Sequence, residues 1–201
     1  SGGIIRIADG TSGLALDDGT DVDMSTSGAA IYGESAAVRL GQAMVVGDFD
    51  NDSINDLVVG SVLADPASGN YGGKAYFIAG PISSTAVIQL ASNEDDAETG
   101  GQSASDFLGW YGATGDSNGD AAADLAVSAP QCGTASTIAS LTSSTGNGIV
   151  YLLEGGSGTS WFDVSSPSLE LTGTVSGGCA GWKMAFGDID GTGVDELLVS
   201  E

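Results

Sequence analysis

Apolar residues in this chain gather in short runs of four to eight, and no run keeps the 3.6-residue period of a helix. The runs lie at 2–9, 29–33, 43–47, 57–62, 73–79, 85–91, 110–115, 124–129, 148–154, 168–172 and 196–200, with a further one at 181–186. They are rich in Val, Ile, Leu, Ala and Tyr, and clusters of Gly, Ser, Asp and Asn bound them. This is the pattern of strands joined by turns. It predicts an all-β fold with about four short strands in each unit of about 70 residues. The acidic stretch 94–98 reads as a linker, and the Ser/Thr-rich stretch 134–147 as a solvated loop.

One polar segment recurs between the runs. It begins at Asp48, again at Asp116, and again at Asp188. Counted from that first Asp, oxygen side chains fall at positions 1, 3, 5 and 9. They are Asp48, Asp50, Asp52 and Asp56; then Asp116, Asn118, Asp120 and Asp124; then Asp188, Asp190, Thr192 and Glu196. Position 7 (Ile54, Ala122, Val194) is apolar and offers only its backbone carbonyl. Alternate side chains of a tight loop can converge, and converging carboxylates repel unless a cation sits between them. An all-oxygen set of this density suits Ca²⁺, so about three calcium sites are expected. An EF-hand is excluded. Its bidentate Glu at position 12 is replaced by Val59, Val127 and Val199, and its flanking helices by strands. Gly at position 6 occurs only as Gly193; Ser53 and Ala121 take its place elsewhere. A metal-free acidic turn is the simpler reading of any one copy, but the same frame in three copies favours calcium.

Charge narrows the function classes. The 201 residues carry 27 Asp and Glu against 4 Lys and Arg, a net charge of −23, and no His. That balance disfavours nucleic acid and anionic membrane surfaces. No stretch approaches a membrane span, and Ser1-Gly2-Gly3-Ile4 reads as a mature or truncated start rather than a signal peptide. Without His, acid–base chemistry would rest on carboxylates alone, such as Asp17/Asp18 or Glu94/Asp95, so no enzyme is expected. The cluster Asp17, Asp18, Asp21 and Asp23 reads as a solvated acidic loop before it reads as a fourth metal site. Asn51-Asp52-Ser53 is formally a glycosylation sequon, but it lies inside a metal loop and is expected to be unmodified.

The units resemble FG-GAP repeats, the blades of the integrin α-subunit N-terminal β-propeller. Leu40-Gly41, Leu108-Gly109 and Ala180-Gly181 stand where that family has Phe-Gly. Gly60-Ser61-Val62 and Ser128-Ala129-Pro130 stand where it has Gly-Ala-Pro, and the acidic loop lies between. Gly73-Lys74-Ala75-Tyr76-Phe77 and Gly148-Ile149-Val150-Tyr151-Leu152 are similar to its third strand. The Phe-Gly elements depart from the family's wording; the calcium loops are close to it.

The resemblance implies two complete four-stranded blades (37–106 and 107–178) and two complementary half blades, 1–36 with strands 3–4 and 179–201 with strands 1–2. Three blades do not close a propeller. The open edges imply one of three completions: further blades of a longer chain, a two-chain ring, or a filament. On this blade layout Cys132 and Cys179 meet on the face opposite the calcium loops. The expected disulfide points to an oxidising compartment, extracellular or at a cell surface. The expected function is a calcium-stabilised module for adhesion or subunit assembly, its partners other copies or missing blades. The alternative is integrin-like recognition of an extracellular protein or glycan by loops 63–72, 92–106 and 131–147, with Tyr71, Trp110 and Tyr111 as contact residues.

Overall fold

The structure is a computed structural model, and it describes residues 3–7, 28–35, 38–66, 71–132 and 146–201. The described residues form thirteen strands: β1 (Ile4–Ile7), β2 (Ala29–Tyr32), β3 (Leu40–Gly47), β4 (Asp56–Ser61), β5 (Lys74–Ile78), β6 (Val87–Gln89), β7 (Ala97–Gly100), β8 (Gly112–Gly115), β9 (Asp124–Ala129), β10 (Ile149–Leu153), β11 (Leu169–Thr172), β12 (Met184–Gly187) and β13 (Glu196–Val199). The fold is all-β. The helical residues among those described are one 3₁₀ turn, Leu90–Ser92, and no helix is long and apolar enough to cross a membrane. The strands make four sheets, none closed: β1-β2-β6, β3-β4-β5-β7, β8-β9-β10-β11 and the hairpin β12-β13. Every pairing is antiparallel except β2 with β6.

Why the central strands read as unbroken apolar runs is clear from the stacking. β4 and β9 are buried at all six positions, because each lies in a sheet covered on both faces. Ile5 and Ile31 of the first sheet pack on Leu57, Val59, Tyr76 and Ile78 of the second. The opposite face of the second sheet, with Val45, Val58 and Phe77, packs on Leu125, Val127, Tyr151 and Leu153 of the third. Ala126 and Val150 on the far side of the third pack on Met184, Phe186, Leu197 and Val199 of the hairpin. The backbones come close enough that a Cβ on Gly60 would sit 2.1 Å from the carbonyl oxygen of Gly109, so only glycine fits there.

Two expectations change. The run 85–91 was expected within its own unit's sheet. Instead β6 crosses to the outer side of β2, parallel to it, and β7 takes the fourth place beside β5. The stretch expected to be an acidic linker thus contributes a strand. Charge hid its alternation. Ala97 packs against the core and Thr99 is buried, while Glu98 between them points outward to pair with Lys74 at 3.1 Å. Cys132 and Cys179 form the expected disulfide, with Cα atoms 5.7 Å apart, and it staples the segment after β9 to the segment before β12.

The backbone repeats more faithfully than the side chains. Arg39, Phe107 and Cys179 hold φ of 56°, 57° and 60°, and Gly41, Gly109 and Gly181, two residues on, hold 89°, 84° and 84°. The Leu-Gly and Ala-Gly dipeptides therefore share one left-handed backbone pattern, at the start of β3 and just before β8 and β12.

Candidate metal centres

Each acidic segment is the turn between the first and second strands of its sheet: β3 to β4, β8 to β9, β12 to β13. One skeleton builds all three. The residues at positions 4 and 6 are left-handed throughout: Asn51 and Ser53 (φ 61° and 72°), Gly119 and Ala121 (80° and 71°), Gly191 and Gly193 (78° and 86°). These twists aim successive N–H groups inward at the position 1 carboxylate. Asp48 accepts from the N–H of Asp52 at 3.0 Å and of Ser53 at 2.9 Å. Asp116 accepts from Gly119, Asp120 and Ala121 at 2.6–3.2 Å. Asp188 accepts from Gly191, Thr192 and Gly193 at 2.7–3.0 Å.

Position 5 braces the turn in the first two loops. Asp52 accepts from the N–H of Ile54 at 2.7 Å and Asp120 from that of Ala122 at 2.8 Å. In the third loop Thr192 is exposed, and its N–H donates to Asp190 at 3.0 Å. Position 9 closes each loop on position 2. Asp56 accepts from the N–H of Phe49 at 2.9 Å, Asp124 from that of Ser117 at 2.8 Å, Glu196 from that of Ile189 at 2.8 Å. Consecutive loops are also joined. Asp48 C=O accepts from the N–H of Ala123 at 3.0 Å, and Asp116 C=O from that of Asp195 at 2.8 Å.

Two loops bring three carboxylates to one point: Asp48, Asp50 and Asp56, and Asp188, Asp190 and Glu196, each set with oxygens within 4.8 Å of one another. In the first, Asp50 Oδ1 is buried with no hydrogen-bond partner. Burial raises the Asp50 pKa above the ordinary carboxylate value, and the charges of Asp56, Asp52 and Asp48 raise it further. Such a group is stabilised by a proton or by a cation, and the set supplies hard oxygen donors for a cation. Val194 and Ile54, at position 7, lie in these same two turns, half-buried and exposed respectively.

The second loop keeps the skeleton but does not gather three carboxylates this closely. Asn118 stands at position 3, and its amide donates to Asp120 Oδ2 at 3.1 Å, so the loop neutralises itself in part. Slight burial works to raise the Asp116 pKa, but the N–H groups of Ala121, Gly119, Asn118 and Asp120 outweigh it and hold it below the usual range. Ala122 at position 7 is buried.

Sequence reading missed the groups that tether position 9 from outside the loop. The second oxygen of Asp56 accepts from the N–H of Gly80 at 2.8 Å, and that of Asp124 from Gly155 at 3.0 Å. Both glycines follow the third strand of their sheet. Their signal was a Gly seven residues after Gly73 and Gly148. Of the aromatic candidates, Trp110 is buried and packs on the tilted ring of Trp182, centroids 4.4 Å apart, Lys183 lies 4.6 Å over the Tyr111 ring, and Tyr71 is exposed. Asp17, Asp18, Asp21 and Asp23 lie outside the described residues. Glu94 accepts from the N–H of Gln89 at 2.6 Å, and burial raises the Asp95 pKa. No protein-family model matches the chain, and no curated protein matches it.

Proposed function

We propose that this chain is a segment of a calcium-stabilised, FG-GAP-type β-propeller, an extracellular module for adhesion or subunit assembly. The observation that carries the reading is the shared skeleton. One oxygen frame stands on one left-handed backbone pattern, at the same strand-to-strand turn, in three successive sheets. Calcium would be held by Asp48, Asp50, Asp52, Asp56 and the Ile54 carbonyl; by Asp116, Asn118, Asp120, Asp124 and the Ala122 carbonyl; and by Asp188, Asp190, Thr192, Glu196 and the Val194 carbonyl. Its contribution is charge neutralisation and cross-linking of the turn. The N–H cradles on position 1 would pre-set the ligands in all three loops, and the tethers on position 9 in the first two; in the second loop Asn118 would offer its amide oxygen at position 3. The Cys132–Cys179 disulfide supports an oxidising compartment, where calcium is millimolar.

Extracellular calcium modules bind with Kd of order 10⁻⁴–10⁻³ M. At the tighter end each site then adds about 1.5 kcal/mol of stability in millimolar calcium. Calorimetric titration of the chain with calcium should find three sites, and thermal unfolding should shift upward in calcium relative to excess EDTA. A chain that takes up no calcium and melts identically in both buffers overturns the reading.

A further inference from the structure

The four sheets stack in chain order, and the two ends of the stack are unlike its interior. Among the described strands, β1 at one end pairs with β2, and β13 at the other pairs with β12. Met44 and Val46 on β3 are 59% and 56% exposed. They border a groove of about 400 Å³ that Ile5, Ile7, Leu57 and Ile82 also line. At the far end Leu198 is 45% exposed, beside Ala185.

Repeat equivalence says what these faces lack. Counted from the first Asp of each loop, Met44 and Val46 occupy the places of Met184 and Phe186. Those two are packed, beneath Ala113 and Ala126 of the preceding sheet. The equivalents of Ala113 and Ala126 at the far end of the stack are Ala185 and Leu198. The face exposed at one end is thus the cover for the face exposed at the other.

The strand edges agree. Gly3, Gly73 and Gly148 are each left-handed (φ 45°, 77°, 85°). A Cβ on any of them would press on Leu40, Leu108 or Ala180, the equivalent residue of the next unit. β1 is therefore the counterpart of β5 and β10, third strands that each pair with a second strand. Those two pairings share one register. Ser61 faces Lys74 and Gly60 faces Ala75; at the same places, Ala129 faces Ile149 and Ser128 faces Val150.

We propose that β13 of one copy pairs antiparallel with β1 of a second copy, Glu201 opposite Ile4, Ser200 opposite Ile5 and Leu198 opposite Ile7. The union joins β12-β13 to β1-β2-β6 in one five-stranded sheet, buries Met44 and Val46 under Ala185 and Leu198, and repeats the second-strand to third-strand pairing already made twice within the chain. Because the two surfaces differ, the contact is head to tail and builds a ring or a fibre. The proposal rests on the repeat reading above but not on bound calcium.

The test uses Val46→Glu and Leu198→Glu, each an exposed position, with circular dichroism to verify folding. Sedimentation is run in calcium and in EDTA. The wild-type chain should assemble to multiples of the monomer mass. Each variant alone should be monomeric, and an equimolar mixture should give a dimer and nothing larger, since each variant keeps one intact face. In a second experiment, Ile5→Cys mixed with Ser200→Cys should form a mixed disulfide that peptide mass spectrometry assigns to 5–200. The out-of-register mixture of Ile5→Cys with Leu198→Cys should not. A wild-type monomer up to its solubility limit overturns the proposal, and so does a variant that still self-assembles or a mixture that stays monomeric. Assembly that persists in EDTA, in a chain that binds no calcium, would retire the calcium reading and leave this one standing.

Discussion

The first and third acidic loops each bring three carboxylates together and are held very differently. In the first, Asp56 is 1% exposed. It is clamped between the N–H of Phe49 inside the loop and the N–H of Gly80 beyond the third strand, at 2.9 and 2.8 Å. In the third, Glu196 is half-buried and closes on the N–H of Ile189 at 2.8 Å. Its hairpin has no third strand among the described residues, and nothing equivalent to Gly80 reaches it there. The longer Glu side chain also has more rotamers to freeze. The ligand frame is a property of the loop; its rigidity is a property of the sheet around it. Assembly as proposed above would give the third loop the third strand it lacks.

The largest expected effect breaks the clamp. With calcium removed by EDTA, Asp56→Ala leaves the buried N–H of Phe49 and the half-buried N–H of Gly80 without an acceptor. It should cost about 3 kcal/mol or more, since each orphaned buried donor costs about 1–3 kcal/mol. Glu196→Ala exposes its donor to water and should cost about 1 kcal/mol or less. Urea midpoints of the two variants measure the difference; equal losses would show that the sheet adds nothing to the loop.

Removing the staple separates the two regions next. Cys132→Ser with Cys179→Ser should cost about 2–4 kcal/mol. The loss should be concentrated in the hairpin, which is otherwise held to the third sheet by the Met184 cluster, the Trp110–Trp182 contact and the hydrogen bonds between Asp116 and Asp195. Hydrogen exchange should accelerate in β12 and β13 more than in β3 and β4. Uniform acceleration would mean that the stack unfolds as one unit and that the hairpin is no weaker than the rest.

The recurring frame of oxygen side chains was legible in the sequence because it is local. Positions 1 and 9 keep their hydrogen bonds in all three turns, and the strand pairs flanking each turn follow from contiguous apolar runs. The crossing of β6 was not legible. Val87 and Ile88 promise a strand equally well in either sheet, and the choice is made by which edge is open. Nor was β7, because Glu94, Asp95, Asp96 and Glu98 outweigh the small residues Ala97 and Thr99 that face the core. The tethers from Gly80 and Gly155 span 24 and 31 residues, and a glycine N–H carries no side-chain signature of what it will bind. The difference between the second loop and the other two comes down to one amide, Asn118, whose partner Asp120 is visible only in three dimensions.

The smallest effect runs against the first. At position 6 the third loop has the residue its backbone asks for, Gly193, while the better-embedded loops force Ser53 and Ala121 to positive φ. A non-glycine residue there costs about 1–2 kcal/mol, and glycine gives back part of that by loosening the unfolded chain, about 0.4–1 kcal/mol. Ala121→Gly should therefore stabilise the calcium-free protein by about 0.5 kcal/mol. Gly193→Ala should destabilise it by a similar amount, because its Cβ meets nothing within 4 Å and only the backbone strain remains. Urea midpoints in EDTA resolve the pair. If Ala121→Gly weakens the fold instead, the buried contacts of the second loop already hold the left-handed turn without strain. The sheet would then fix the loop's backbone as firmly as it fixes the position 9 carboxylate.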